Sequence, residues 1–441
     1  MRGRIVFVAL ALLAGACSQD DSSDSSREDE RIAELATSTP APPSSTTTLR
    51  PPVPSDPPLP QLPRIGALEI PCRPADTTAI ADRPGVSDDA ITIGVGSDRG
   101  GIAAVGSGRG AIEMVEALAD LCNAQGGLLG RDLRVIEYDA AAVEAGDRVT
   151  EACDEVVALV GTVFVQEIES TLTALSCGLP LYPAGANLVP TDPFTLHGHL
   201  AALFADPASA ASVVLVGPNT ASGAADRAAR RTAVETGATV LTVAGEVAYP
   251  VDRLPDWDRI VADARASGAG QVHLVGGCDQ AVLPFAAAAV GIGWSPMIVA
   301  TAAAYDEACL AVADPSRLLV EVPFLPFEDG DSAPATAAHA ELLDRVGAPR
   351  TGIAILAASA FWRWATAAPV CLPDPERGCF AEVLAGQADW SAGGLHPGIG
   401  TDGTTEGCAV VLGVEDGTFV RRLPGEPGTY DCNPEWSVTL P

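Results

Sequence analysis

The sequence feature that most constrains the fold is a long alternation of short apolar runs with amphipathic stretches. In the first part of the chain the apolar runs occur at 90–96, 133–138, 156–160 and 179–184. Stretches with the apolar spacing of a helix separate them, at 110–123, 147–154 and 166–175. Strands that alternate with helices in this way predict a parallel sheet with helices on both faces.

A second set of the same kind follows. Strands are predicted at 212–216, 239–243, 271–275 and 297–300, and helices at 222–236, 257–266 and 280–290. A long helix from 361 onwards carries Trp362 and Trp364, of which one is expected in the core and the other at the surface. A hairpin turned by Asp416 and Gly417 comes last. A chain of 441 residues exceeds one typical domain, so we expect two α/β lobes.

The N-terminus has the features of an export signal. Arg2 and Arg4 precede an apolar run from 5 to 13, and Ala14-Gly15-Ala16 precede Cys17. This pattern resembles the bacterial lipobox, in which the cysteine receives a diacylglyceryl group. The resemblance implies a lipoprotein signal peptide at 1–17 and lipidation of Cys17. An ordinary secretory signal with an incidental cysteine is the alternative.

The segment from 18 to 64 is rich in Ser, Thr, Asp and Pro, a composition that predicts a disordered linker. No later apolar run is judged long and uninterrupted enough to cross a membrane. We therefore expect the protein to be held by its lipid anchor at the extracytoplasmic face of the cell membrane.

The cysteines point to disulfides. The chain has 11 of them, and an even number remains after Cys17 in an oxidising compartment. The spacing leaves the connectivity open, and we expect sequential pairs: Cys72–Cys122, Cys153–Cys177, Cys278–Cys309, Cys371–Cys379 and Cys408–Cys432. No metal site is expected, because no CxxC pair occurs and only His197 and His199 are close together among the 5 histidines.

The charge excludes several function classes. A net charge of −31 argues against nucleic acid as a partner. The sequence contains no lysine, which removes Schiff-base chemistry and a Walker-type phosphate site. GxSxG is absent as well, so neither an enzyme nor a cofactor is expected.

Several segments resemble the type I periplasmic binding proteins, especially the leucine/isoleucine/valine-binding-like proteins of ABC transporters. They are GVSDDAITIGVG, CNAQGGLLGRDLRVIEYD, VVALVG and GLPLYPAGA, followed by YPVDRLPDWDRIVADARASGAGQVHL, VPFLPF and ILAASAFWRW. The resemblance covers about 85–425. It implies two doubly wound, Rossmann-like lobes joined by a three-stranded hinge. Lobe 1 would comprise 85–197 plus 323–404, and lobe 2 would comprise 198–322 plus 405–435.

The resemblance also implies a small-molecule ligand between the lobes and a set of site residues. Those in lobe 1 are Ser97, Ser107, Thr162, Val163, Ala184, Gly185 and Ala186, and those in lobe 2 are Asn219, Asp279, Thr301 and Tyr305. The last loop has no acid before Asp306 to hold an ammonium group. We therefore expect a des-amino or amide-type solute to bind at least as well as leucine.

Two functions remain open. The first is a monomeric receptor that passes a branched-chain amino acid-like solute, an amide or a small organic acid to ABC permease subunits. The second is a sensor or surface-binding module that uses the same clamp without transport.

Overall fold

The structure is a computed structural model that describes residues 64–75, 78–80, 82–103, 106–184, 212–236, 241–373, 379–387, 389–398 and 408–432. The predicted signal peptide, nearly all of the predicted linker, and His197 and His199 lie outside the described residues. Two of the three predicted crossings, near 197 and 404, lie outside them too. The third is described, where the chain leaves the lobe 2 sheet at Val322.

Lobe 1 is built on a four-stranded sheet in which all strands are parallel. Its first elements are β1 (Arg64–Ile65), β2 (Leu68–Glu69), β3 (Ala90–Ser97), α1 (Arg109–Ala124), β4 (Asp132–Asp139), α2 (Ala145–Glu155), β5 (Leu159–Thr162), α3 (Glu167–Cys177) and β6 (Leu181–Pro183). The strand order is β4-β3-β5-β6, so the chain winds outward from β3 in both directions. This is half of a doubly wound fold.

Lobe 2 is built on a larger, mixed sheet. Its first elements are β7 (Ser212–Pro218), α4 (Ala221–Thr236), β8 (Thr242–Tyr249), α5 (Trp257–Ala266), β9 (Gln271–Leu274), α6 (Leu283–Gly291), β10 (Met297–Ala300) and β11 (Leu318–Val322). The chain then returns to lobe 1 with α7 (Pro334–Val346), α8 (Gly352–Cys371) and α9 (Cys379–Gly386). It ends with β12 (Cys408–Glu415), β13 (Thr418–Leu423) and β14 (Asp431–Cys432). The main path is β13-β12-β11-β10-β9-β7-β8, antiparallel only from β11 onward.

Strand β8 lies later in the chain than the sequence pattern placed it. The prediction of 239–243 overlaps the observed strand only at Thr242 and Val243, and β8 continues to Tyr249. Along β8 more exposed and less exposed residues alternate, as expected of a strand at the edge of a sheet. The predicted range ends just after the observed strand begins. Most of β8 is formed by the residues of alternating exposure that follow it.

Helix α8 corrects two expectations. It begins at Gly352, nine residues before the predicted start at 361, and it alone among the helices of the described residues is long and apolar enough to cross a membrane. However, 67% of its most apolar window is buried inside the protein. Trp362 and Trp364 are both 0% exposed, so neither lies at the surface. A helix that is apolar on all sides is a core helix, and here it packs against α1 and β5.

Gly161 allows α8 to approach the lobe 1 sheet closely. It has a φ of +70°, and a Cβ atom added there would lie 2.7 Å from Val115 Cγ2 and 3.2 Å from Ala357 Cβ. A positive φ is disfavoured for other residues. Glycine is therefore required both by the backbone and by the packing of α1 and α8 around the end of β5.

The hairpin of β1 and β2 belongs to the folded part, although it precedes residue 85, where lobe 1 was expected to begin. Ile65 is 2% exposed, and Ala67 N donates to Gly393 O at 3.0 Å. The next segment is tied to α1 by Cys72 and Cys122. These contacts fix the N-terminal segment on lobe 1.

The expected sequential pairing of the cysteines is confirmed. The structure joins the same five pairs, with Cα atoms 5.0 Å apart in Cys72–Cys122 and 6.3 Å apart in Cys153–Cys177. The others are Cys278–Cys309, Cys371–Cys379 and Cys408–Cys432. Each disulfide joins two residues of the same lobe.

Candidate ligand-binding site

A cleft of about 830 Å³ lies between the two lobes. Loops that follow β3, β5 and β6 line it from lobe 1, and loops that follow β7, β9 and β10 line it from lobe 2. These are the carboxyl ends of parallel strands, where open α/β sheets bind their ligands. The volume falls in the range of sites for small molecules.

Five of the predicted ligand residues line this cleft. They are Ser107, Val163 and Ala184 of lobe 1, and Asp279 and Thr301 of lobe 2. Thus loops that are far apart in sequence, and belong to different sheets, do meet at one cavity.

Ser97 and Thr162 do not line the cleft, although both lie at the ends of central strands. Ser97 is 0% exposed and its Oγ donates to Glu137 Oε1 at 2.8 Å. Thr162 is 4% exposed, and its Oγ1 accepts a hydrogen bond of 3.4 Å from Gly96 N. Both hydroxyls join neighbouring strands of the sheet, so they support the loops rather than form the wall.

Tyr305 is also buried away from the cleft, in an aromatic cluster with Phe324, Phe327 and Phe419. Its hydroxyl accepts a hydrogen bond of 2.7 Å from Phe327 N and donates to Glu328. Its carbonyl accepts from Gly352 N at 2.7 Å. Tyr305 therefore anchors the last lobe 2 loop to lobe 1 beside the described crossing.

Asn219 lines a separate, smaller cavity of about 260 Å³, together with Gln166 and Glu169 of lobe 1. Gly185 and Ala186 lie outside the described residues.

The sequence-based site omitted most of the charged residues of the cleft. Its charged lining residues are Arg109, Glu167, Asp226, Arg230, Asp279, Asp306, Glu321 and Arg363. Two of the cations have acidic neighbours: Arg109 Nε lies 2.7 Å from Glu113 Oε1, and Arg230 Nε lies 2.8 Å from Asp226 Oδ2. Helical spacing could have identified part of this set, because Asp226 and Arg230 follow Ser222 at intervals of four on α4.

Glu167 differs from the other acids of the cleft because one of its oxygens is buried without a partner. It is the first residue of α3, and Oε1 is buried without a hydrogen bond. Burial raises the pKa of the Glu167 carboxyl to about 8. At neutral pH the side chain is therefore largely protonated when the cleft is empty.

Asp98 fixes the loop that carries Val163 and Glu167. It is 0% exposed and its carboxylate accepts hydrogen bonds from Ala142 N, at 2.8 Å, and from Val165 N. Burial raises its pKa to about 6, against the opposing effect of these two hydrogen bonds. One side chain thus joins three loops at the carboxyl edge of the lobe 1 sheet.

A Ser–His pair lies in the lobe 1 wall. Ser359 Oγ and His396 Nε2 are 2.7 Å apart, and His396 Nδ1 lies 2.8 Å from Pro397 O. A hydrogen on Nδ1 lets Nε2 accept from the serine, whose Oγ also accepts from Trp390 Nε1 at 3.1 Å. Burial lowers the pKa of His396 to about 4, so the ring is neutral. The carboxylate that stabilises the imidazolium of a catalytic triad is replaced here by a carbonyl, and the network positions the wall.

Direct contacts between the lobes lie beside the cleft. Thr220 Oγ1 donates to Val165 O at 3.2 Å, and Ile168 N donates to Ser222 Oγ at 3.0 Å. Further along, Arg421 of β13 pairs with Asp329 of lobe 1, with Nε 2.8 Å from Oδ1. Both side chains of this ion pair are buried. Within the described residues, no group of His, Cys, Asp and Glu is arranged to hold a metal ion.

The comparison with family models decides the family. A model described as "Periplasmic binding protein" matches residues 90–418, which is most of the chain. The chain belongs to the periplasmic binding protein family. The lobes described above are the two Rossmann-like lobes of the type I periplasmic binding protein fold.

Solved structures of other substrate-binding proteins are similar to this chain in fold. The leucine-binding protein LivK of Thermotoga maritima has a TM-score of 0.61 and 17% identity, covering 75% of this chain and 97% of its own. LivJ of Streptococcus pneumoniae, solved with isoleucine, has a TM-score of 0.58 and 16% identity, covering 76% and 100%. A fatty acid ABC transporter substrate-binding protein from Thermomonospora curvata has a TM-score of 0.59 and 16% identity, covering 81% and 96%. No curated protein sequence matches the chain.

Proposed function

We propose that this periplasmic binding protein captures a small polar solute in the cleft between its lobes and delivers it to ABC permease subunits, without catalysing a reaction. The observation that carries the proposal is the cleft of about 830 Å³ lined by the strand-end loops of both lobes. A ligand there touches both lobes at once, so its binding favours the conformation in which they are closest.

The proposed ligand is of the size of a branched-chain amino acid, an amide or a small organic acid. The structural relatives include a leucine-binding protein, a branched-chain amino acid transporter substrate-binding protein and a fatty acid transporter substrate-binding protein. The fold by itself therefore does not select among these ligand classes. The polar lining residues from both lobes, including Ser107, Asp279 and Thr301, support a polar solute.

We further propose that the protein works as a monomer at the extracytoplasmic face of the cell membrane, anchored through a lipid on Cys17. The signal-like N-terminus and the five disulfides support an extracytoplasmic location.

Thermal unfolding of the purified full chain in detergent, against a panel of amino acids, amides, small acids and polyamines, tests the binding function. We expect at least one solute to raise the melting temperature, and small-angle scattering to show compaction with it. Ala303→Trp, which places a bulky ring in the cleft wall, should abolish both effects. Ala262→Trp is the matched control, because Ala262 is exposed on α5 away from the cleft.

Uptake of the identified solute by cells with and without the protein then separates the two candidate functions. We expect uptake to fall when the protein is absent. Retained binding with unchanged uptake would support a sensor or surface-binding module instead.

A further inference from the structure

We infer that the solute carries a protonated amine or a comparable cation, and that Glu167 is the residue that recognises it. The inference rests on the proposed solute-binding function and narrows its ligand class. It differs from the expectation that a des-amino or amide-type solute binds at least as well as leucine. That expectation rested on the lack of an acid before Asp306 in the last lobe 2 loop, whereas Glu167 lies in lobe 1.

The first argument is the unmatched oxygen. Glu167 lines the cleft, and its Oε1 is buried without a hydrogen-bond partner. A buried acceptor without a partner has lost its hydration and gained no hydrogen bond in return, and the cost is greater when it is charged. A ligand that donates a hydrogen bond to Oε1 removes this cost, which gives the closed, ligand-bound state an advantage that the empty cleft lacks.

The second argument concerns the charge of the donor. The lining contains five acids and three arginines, and two of those arginines already pair with carboxylates, Arg109 with Glu113 and Arg230 with Asp226. No ion pair joins Glu167 to an arginine anywhere in the described chain. With Glu167 protonated, the other four lining acids and Glu113 still outnumber the three arginines. The ionised groups at the cleft therefore carry a net negative charge, which favours a cation over a neutral or anionic group.

The third argument is the linkage between ligand charge and protonation. Since burial raises the pKa of Glu167 to about 8, the carboxyl holds a proton at neutral pH in the empty cleft. A cation placed beside it favours the ionised form, so the proton leaves as the cation binds. A neutral hydrogen-bond acceptor would do the opposite, because it needs the proton of the neutral carboxyl. Proton release thus distinguishes the two kinds of ligand.

The test uses pairs of probes that differ only in the amine, measured by isothermal titration calorimetry on the full chain in detergent. L-leucine is compared with 4-methylpentanoate, L-leucinamide with 4-methylpentanamide, and putrescine with 1,4-butanediol. We expect at least one amine to bind tenfold or more tightly than its partner. Titration at pH 7 in buffers of different ionisation enthalpy should show the release of close to one proton.

Two variants assign the effect to Glu167. Glu167→Gln keeps the size of the side chain and should lower the affinity for the amine about tenfold or more, while proton release disappears and the des-amino partner binds as before. Glu341→Gln is the control for a lost carboxylate, because Glu341 pairs with Arg345 on the surface of α7 and should change neither readout. Unchanged thermal unfolding of the ligand-free variants verifies that they fold.

The outcomes separate this inference from the proposed function. If only the des-amino partners bind, or if Glu167→Gln leaves amine affinity unchanged, the inference is overturned and the solute-binding function stands. If no probe binds and no solute of the wider panel compacts the protein, both are contradicted.

Discussion

At the scale of single residues, Glu167 should make the stability of the ligand-free protein depend on pH. Burial raises the pKa of its carboxyl from 4.5 to about 8. The contribution to stability is therefore complete below pH 4.5 and is lost as the pH rises through about 8. Relative to Glu167→Gln, the wild-type protein should lose on the order of 4 kcal/mol of unfolding free energy between pH 5 and pH 9, because each unit of pKa shift corresponds to about 1.4 kcal/mol.

Urea unfolding followed by tryptophan fluorescence at several pH values measures this difference. The pKa of Asp98 is also raised, but Asp98 is present in both proteins and its effect cancels in the comparison. A difference between the two proteins that stays constant from pH 5 to pH 9 would contradict the raised pKa.

The sequence identified the loops of the cleft better than the side chains within them. Ser107 and Thr301 were found because loops at strand ends can be read from the alternation and the family resemblance. Ser97 and Thr162 sit in the same regions, but their side chains turn toward neighbouring strands. Glu167 was missed because the first turn of a helix commonly carries an acid for reasons of helix stability alone. Its burial is a tertiary property, which no local pattern reports.

At the scale of elements, the disulfides should stabilise the fold in the order of the loops they close. Their sequence separations are 8 for Cys371–Cys379, 24 for Cys153–Cys177 and 50 for Cys72–Cys122. Replacing Cys153 and Cys177 by alanine should cost about 3 kcal/mol, because the unfolded chain gains freedom. The shortest loop should cost less, and the longest more.

Chemical unfolding of the three double-alanine variants under non-reducing conditions measures the series. The order of the three losses of unfolding free energy tests the effect of loop length. A single value does not, because each variant also loses buried sulfur atoms. A largest loss for the Cys371–Cys379 pair would show that packing around α8 outweighs the constraint on the unfolded chain.

The alternation of strands and helices was predictable because its periodicities are local, and most of the lobe 1 elements lie where the pattern placed them. The start of α8 was not, because Gly352 to Ala360 is apolar on all sides and lacks the amphipathic signal of a surface helix. Both Trp362 and Trp364 are buried because α8 is covered on more than one side, by α1 and β5 among others. Whether a helix has one covered face or several depends on the elements that surround it.

At the scale of the whole molecule, Cys17→Ser should abolish membrane retention. Without the thiol, no diacylglyceryl group can attach, so the chain should appear in the medium or remain unprocessed. Fractionation of cells that express either protein, with mass spectrometry of the mature N-terminus, measures the result. Ser55→Ala is a suitable control, since it changes a residue of the predicted linker and leaves the lipobox and the five disulfides intact. Normal retention of Cys17→Ser with a mature N-terminus elsewhere would contradict lipid anchoring.

The placement of the disulfides has a mechanical consequence. Each one stiffens a single lobe, and none of the five crosses the cleft. The relative position of the lobes therefore depends on the crossing segments and on non-covalent contacts, such as Thr220 with Val165 and Arg421 with Asp329. Each lobe is thus cross-linked internally while no disulfide links one lobe to the other. A bound solute can therefore change the relative position of the lobes without breaking a covalent bond.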